Sequence, residues 1–172
     1  MGMTLYLGML SARRRELLEE DPELLWDVID PDEQVPGVVC LGKAWNALQR
    51  IVEPWDADRA LAGMFGASGG TAFGESGSYG HPRMFEPANV AQLAVALARV
   101  PADAGMQRCP KLRGVEVHGD FFAPSATSGG TGAQIDDEAL GIARGFDRLL
   151  DDVRVLLRDA AAKQASLFAV IV

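Results

Sequence analysis

The sequence predicts one α+β domain, in which a small antiparallel or mixed sheet contains both terminal strands and packs against amphipathic helices. Three observations lead to this prediction. Residues 4–10 form a short apolar run, apolar residues keep helical spacing from 135 to 160, and 167–172 is a continuous apolar segment. Segments of this kind bury their surfaces by packing in layers. A chain of 172 residues is normally one domain, so we assign 1–172 to a single unit.

Composition excludes some classes of function. The net charge is −8, and nucleic-acid binding requires a basic footprint that this chain lacks. No apolar run approaches the ~20 residues of a membrane helix. The two cysteines, Cys40 and Cys109, have no partners at metal-ligand spacing, so we expect free thiols, no metal and no cofactor. Without a secretory pattern at the start, a cytoplasmic location is expected.

The first third begins with a strand at 4–10. Ser11 is a suitable N-cap for a helix that buries Leu17 and Leu18. Asp21 and Pro22 supply a second helix start. Its expected inward residues are Leu24, Leu25, Val28 and Ile29, and Trp26 is expected in the core or beneath a loop.

The next helix is predicted from the apolar spacing between Leu41 and Val52, and Pro54 stops it. Asp56 then caps a short helix, which Gly63 ends. Residues 64–65 and 72–73 are expected to form two short strands joined through a glycine pair.

A third short strand is expected at 83–85, followed by a helix that begins at Pro87. Its segment 90–100 is apolar nearly all round, which indicates a buried helix. Residues 102–119 are expected to be irregular, with one helical turn and a strand at 114–118. The glycine-rich segment 123–134 is expected to be a flexible surface loop. The long helix from about 135, capped by Asp136 or Asp137, and the strand at 167–172 complete the chain.

Several of these segments together resemble a known family. The opening Met-Gly-Met and strand, the Lys43-Ala-Trp helix, the Gly77-Ser-Tyr-Gly segment before Pro82-Arg83, and the closing helix and strand are similar to the YfbM-like family of uncharacterised bacterial proteins. The resemblance implies a small mixed α/β domain without an established activity. The chain departs from the family pattern at Gly42, where an acidic residue is usual, and at Asn46, where histidine is frequent.

The best candidate site is the glycine-rich passage 66–83. Glu75, Tyr79, His81 and Arg83 fall within nine residues of one another, among glycines that allow backbone N–H groups to approach a ligand. Arg83 could hold a carboxylate or phosphate, while His81 or Glu75 moves a proton. The alternative is a surface turn in which Tyr79 packs, His81 is solvated and Arg83 pairs with an acidic neighbour.

Other candidates are weaker. Trp45 and Asn46 would border the passage if their helix packs beneath it, although a tryptophan on an apolar face is usually a core residue. His118 and Asp120 resemble part of a catalytic triad, but no Gly-x-Ser-x-Gly sequence accompanies them.

Two hypotheses about function follow. The first is a non-enzymatic binding or protein-interaction module, since no catalytic motif is complete and an acidic surface suits basic partners. The second is an enzyme or small-ligand binder that acts on an anionic metabolite through residues 75–83. The two differ in whether Tyr79, His81 and Arg83 converge on one pocket.

Overall fold

The computed structural model describes residues 3–29, 35–77, 79–115, 121 and 137–172, with side chains in the last range from 139 onward. Within these residues, strands form one antiparallel sheet in the order β2-β1-β5-β4-β3. The strands are β1 (Leu5–Leu10), β2 (Val38–Gly42), β3 (Thr71–Ala72), β4 (Arg83–Phe85) and β5 (Ser166–Ile171). The predicted α+β class, with both terminal strands in the sheet, is confirmed.

The C-terminal strand β5 lies at the centre of the sheet. It pairs with β1 from Leu5↔Ile171 to Leu10↔Ser166, and with β4 from Arg83↔Ala169 to Phe85↔Leu167. A central strand is covered on both faces, which explains why residues 167–170 are all buried and uniformly apolar. The sequence-based prediction of this strand is therefore confirmed.

Helices cover the two faces of the sheet unequally. They are α1 (Ala12–Glu20), α2 (Leu25–Val28), α3 (Trp45–Val52), α4 (Ala60–Phe65), α5 (Pro87–Ala98), α6 (Ala104–Arg108) and α7 (Asp137–Ala162). The larger core combines α3 to α7 with side chains such as Leu5, Leu7 and Leu167. The smaller core places α1 and α2 over Tyr6, Leu10 and Phe168. Successive side chains of a β-strand point to opposite faces of the sheet, so alternate residues of β1 and β5 belong to different cores.

Two predicted helix caps are present. Ser11 Oγ accepts a hydrogen bond of 3.3 Å from the backbone N–H of Arg14, at the start of α1. Asp56 is buried, and its carboxylate accepts hydrogen bonds from Leu61 N at 3.1 Å and Ala62 N at 2.7 Å. These bonds satisfy N–H groups that the first turn of α4 leaves without helical partners.

The prediction that one helix begins near Leu41 was wrong. Leu41 belongs to the edge strand β2, and α3 begins only at Trp45. The apolar run 38–42 pairs with β1, and Gly42 adopts a positive φ of 52° before the chain turns into α3. Long-range pairing with β1 decides between strand and helix here, because a short apolar run fits both.

The prediction of a strand at 64–65 was also wrong. Met64 and Phe65 form the last turn of α4, which Gly63 does not end and Gly66 follows. Strand β3 (Thr71–Ala72) pairs instead with β4. The second predicted helix is divided into a 3₁₀ turn at Pro22–Leu24 and the single turn α2.

Burial differs from expectation at three exposed apolar side chains. Leu17 is 43% exposed and Trp26 is 48% exposed, although both were expected to be covered. Helix α5 buries Val90, Leu93 and Leu97 but leaves Val95 57% exposed, so it is not buried on all sides. Much of the apolar character of its outer face comes from alanines, whose small side chains can remain exposed to solvent. The expected strand at 114–118 falls mainly on residues outside the described ranges, and the glycine-rich segment 123–134 lies wholly outside them.

Candidate ligand site in the glycine-rich hairpin

The glycine-rich passage forms an irregular hairpin between β3 and β4. Thr71 pairs with Met84, and Ala72 with Arg83. Beyond the strands, Phe73 N donates to Pro82 O at 3.1 Å. Near the tip, Gly77 and Gly80 exchange backbone hydrogen bonds of 3.1 and 3.2 Å. The hairpin therefore holds residues 75, 79, 81 and 83 on one continuous backbone scaffold.

His81 contacts the opposite side of the hairpin. Its Nδ1 lies 3.1 Å from Gly74 O, and a carbonyl oxygen can only accept, so Nδ1 carries the proton in this arrangement. The neutral ring then has Nε2 as its acceptor. Gly74 itself has a positive φ of 64° and lies against Pro22, which anchors this part of the hairpin. The imidazole is thus oriented by the backbone, although it is exposed to solvent.

Arg83 occupies a different environment at the start of β4. It lies on the same face of the strand as Phe85, which belongs to the larger core. Its direct cross-strand neighbours are Ala72 and Ala169, which both have short side chains. Arg83 is half-buried, and its Nε is buried without a hydrogen-bond acceptor among the described residues. A buried N–H donor without an acceptor carries an uncompensated desolvation cost.

The remaining hairpin candidates are open to solvent. Tyr79 is 42% exposed, and Glu75 is exposed as well. Within the described part of the chain, no hydrogen bond links Glu75, Tyr79 or His81 to one another. The structure thus brings the four side chains onto one hairpin, with Arg83 at its base and the other three in contact with solvent.

Trp45 and Asn46 lie in the first turn of α3, and both are half-buried. Trp45 packs against the larger core. Asn46 Nδ2 donates to Gln49 Oε1 at 3.1 Å, and Gln49 Nε2 donates to Ala62 O at 2.7 Å. This chain of hydrogen bonds joins α3 to α4, the helix that precedes the glycine-rich passage. Asn46 therefore has a structural role in supporting the approach to the hairpin.

Sequence reasoning missed two polar connections in which α7 takes part. Asp147 accepts a hydrogen bond of 2.6 Å from Gly105 N, and Arg154 donates to Val100 O at 3.0 Å and Pro101 O at 2.8 Å. The single glycine within α6, Gly105, is the one sequence signal of the close approach between α6 and α7.

The thiol of Cys109 lies near Asp147. Burial raises the pKa of Cys109 to about 11, and the charge of Asp147 adds to this.

Sequence reasoning also missed the ion pairs of Arg15. Arg15 forms ion pairs with Glu19 and Glu86 and so connects α1 to the start of α5. The hydrogen bond to Glu19 is the largest of the effects that raise the pKa of Arg15.

The other candidates can be placed only in part. His118 and Asp120 lie outside the described residues. Across the described ranges, no group of three or more His, Cys, Asp and Glu side chains is arranged to hold a metal ion. In the same ranges no helix is long and apolar enough to cross a membrane.

A family model described as a domain of unknown function, DUF1877, matches residues 1–111, and the chain belongs to this family. The matched region contains β1 to β4, α1 to α6 and the whole hairpin.

A solved structure extends the similarity beyond the matched region. It is that of YfbM from Escherichia coli, described as a protein of unknown function, and it covers 98% of this chain and 99% of its own with a TM-score of 0.58. At 12% sequence identity this similarity concerns the fold alone. The resemblance to YfbM-like proteins is confirmed by both results. Comparison with functionally curated proteins finds no match.

Proposed function

We propose that the chain is a non-enzymatic cytoplasmic binding domain, and that the base of the hairpin recognises an anionic group with Arg83 as its anchor. The observation that carries this proposal is the half-buried Arg83, whose Nε has no acceptor among the described residues. An anion bound to the guanidinium group would supply the hydrogen-bond acceptor and the opposite charge that the described residues do not provide. The neighbours of Arg83 on the two adjacent strands are alanines, whose short side chains would not obstruct such a ligand.

A small anion suits this site better than an extended acidic surface does. The chain as a whole carries a net charge of −8, so an extended polyanion such as nucleic acid would be repelled. A single carboxylate or phosphate group needs only one guanidinium fork at a desolvated position. A basic protein partner that carries a terminal or side-chain carboxylate would satisfy the same chemistry.

Thermal shift with inorganic phosphate, citrate and nucleoside monophosphates tests the proposal. A ligand at a hundredfold excess over its Kd stabilises the folded state by about 2.7 kcal/mol, which raises Tm by several degrees. We expect this shift in the wild type, its loss in Arg83→Ala, and a reduced shift in Arg83→Lys, which keeps the charge without the planar fork. Arg99→Ala is the matched control, because Arg99 is an exposed arginine away from the hairpin. Equal shifts in the wild type and Arg83→Ala would refute the anchor.

The second candidate is an enzyme that acts on the same anion. Its support is the fixed orientation of His81, whose neutral ring offers Nε2 as a proton acceptor. Against it, Glu75 and His81 are exposed to water, which weakens electrostatic catalysis. Any compound that shifts Tm should be incubated with the protein and followed by NMR. Turnover that disappears in His81→Ala while binding remains would establish the enzyme and overturn the non-enzymatic proposal.

A further inference from the structure

Strand β2 leaves one edge of the sheet open. It pairs with β1 alone, and within the described ranges no strand lies on its other side. Met9 N donates to Gly37 O at 2.9 Å, and antiparallel alternation then makes Leu7↔Val39 a hydrogen-bonded pair. The same alternation makes Gly8↔Val38 and Tyr6↔Cys40 non-hydrogen-bonded pairs. The peptide groups of Val38 and Cys40 are therefore directed outward, at the free edge.

The composition of β2 does nothing to prevent pairing with another strand. Its sequence, Val-Val-Cys-Leu-Gly, contains no charge and no proline, which are the residues that usually protect an edge. The N–H of Val38 is already bonded to Val35 O. The C=O of Val38 and the N–H and C=O of Cys40 remain available for pairing with another strand. The side chain of Cys40 is exposed as well.

The opposite edge of the sheet differs. Strand β3 contains only Thr71 and Ala72, and an edge this short offers little to a new strand. Addition of β2 to β3 of another copy would give only a short head-to-tail contact. Antiparallel pairing of β2 with β2 gives a two-fold interface that uses the full strand and closes after two chains.

We propose that the chain forms a homodimer by antiparallel pairing of β2 with β2 of a second copy, which joins two five-stranded sheets into one continuous sheet. A two-fold axis at Cys40 places each Cys40 peptide group opposite its counterpart, with both thiols on the same face of the joined sheet. The interface is independent of the anion site, because β2 and β4 are separated by β1 and β5.

Sedimentation velocity of the full chain under reducing conditions, at concentrations up to roughly 1 mM, tests the dimer. We expect a dimer fraction that rises with concentration. Cys40→Lys, which places like charges opposite one another, should weaken dimerisation at least tenfold. Cys40→Ser should retain the dimer, because the backbone groups make the bonds. Thr71→Lys is the matched control on the other edge and should also retain it.

Two results would overturn the proposal: a wild type that stays monomeric throughout, or a dimer that Cys40→Lys leaves unchanged. Circular dichroism of each variant checks that the monomer fold is intact. A short bis-maleimide cross-linker gives a second readout, since it should link two chains through Cys40 in a Cys109→Ser background. A dimer that this reagent fails to link would place the interface elsewhere and contradict the two-fold at Cys40.

Discussion

Asp147 of α7 accepts a hydrogen bond of 2.6 Å from the backbone N–H of Gly105, and this bond holds the start of α6 against α7. Burial raises the pKa of Asp147 above its ordinary value of 3.8, while the backbone N–H groups of Gly105 and Met106 oppose the rise. A Cβ at Gly105 would lie 2.4 Å from Ala143 O, so only glycine permits this approach. One carboxylate thus acts as the cap of a helix 42 residues away in sequence.

Substitution of Asp147 should separate its hydrogen bond from its charge. Asp147→Ala removes the acceptor and should lower the free energy of unfolding by about 1–2 kcal/mol. Asp147→Asn keeps an acceptor oxygen without the cost of a partly buried charge, so its stability at pH 7 should equal or exceed that of the wild type. Urea denaturation of the three proteins measures both effects.

The wild type and Asp147→Asn should also differ in how their stability depends on pH. Because the folded pKa of Asp147 is raised, its favourable contribution is complete below about pH 3.8 and is lost as the pH rises through the raised value. The wild type should therefore lose stability relative to Asp147→Asn across this window. A wild type that gains stability relative to Asp147→Asn would contradict the assigned direction.

The buried cap of α4 should be among the most sensitive polar positions. Asp56→Ala leaves Leu61 N and Ala62 N without an acceptor and should cost about 1–3 kcal/mol. Asp56→Asn retains one acceptor oxygen and should cost less. The exposed neighbour Asp58 supplies the control, since Asp58→Ala should change the urea midpoint very little. Equal effects at 56 and 58 would show that the cap contributes nothing.

Gly8 of β1 lies directly opposite Phe168 of β5, and the phenyl ring occupies the space beside the glycine. They are register partners, and a Cβ at Gly8 would lie 2.1 Å from Phe168 Cε1. Gly8→Ala should therefore destabilise the protein by about 1–3 kcal/mol through overpacking. Phe168→Leu creates space at the same point, so the double variant should lose less stability than the sum of the single variants. Strict additivity in a thermal or urea double-mutant cycle would argue against the contact.

The thiol of Cys109 should react slowly. With its pKa raised to about 11, only about one thiol in a thousand is ionised at pH 8. In Cys40→Ser, labelling by a disulfide reagent should be slow and should rise about tenfold per pH unit. In Cys109→Ser, the exposed Cys40 should react quickly. The raised pKa of Cys109 also affects stability: the contribution of the neutral thiol to the free energy of unfolding is complete below pH 9.0 and is lost as the pH rises through about 11. Fast labelling of both thiols at pH 8 would contradict the burial of Cys109.

The candidate site was only partly accessible to sequence reasoning. Glu75, Tyr79, His81 and Arg83 could be singled out because they are polar and aromatic groups close together among glycines. The sequence could not distinguish the half-buried Arg83 from its exposed neighbours, since that depends on the alternation of β4 within the sheet. None of the ion pairs among the described residues includes Arg83, so the alternative in which it pairs with an acidic neighbour has no counterpart there.

The sequence by itself determined the fold class, the strands at both termini, the long final helix, and the caps at Ser11 and Asp56. These features depend on local spacing, on continuous apolar runs and on single polar residues beside them. Only the tertiary structure decided that Val38–Gly42 is a strand, that Met64 and Phe65 are helical, and that Asp147 caps α6. A five-residue apolar segment fits either conformation by itself, so its hydrogen-bond partner decides, and that partner β1 lies about 30 residues earlier in the chain.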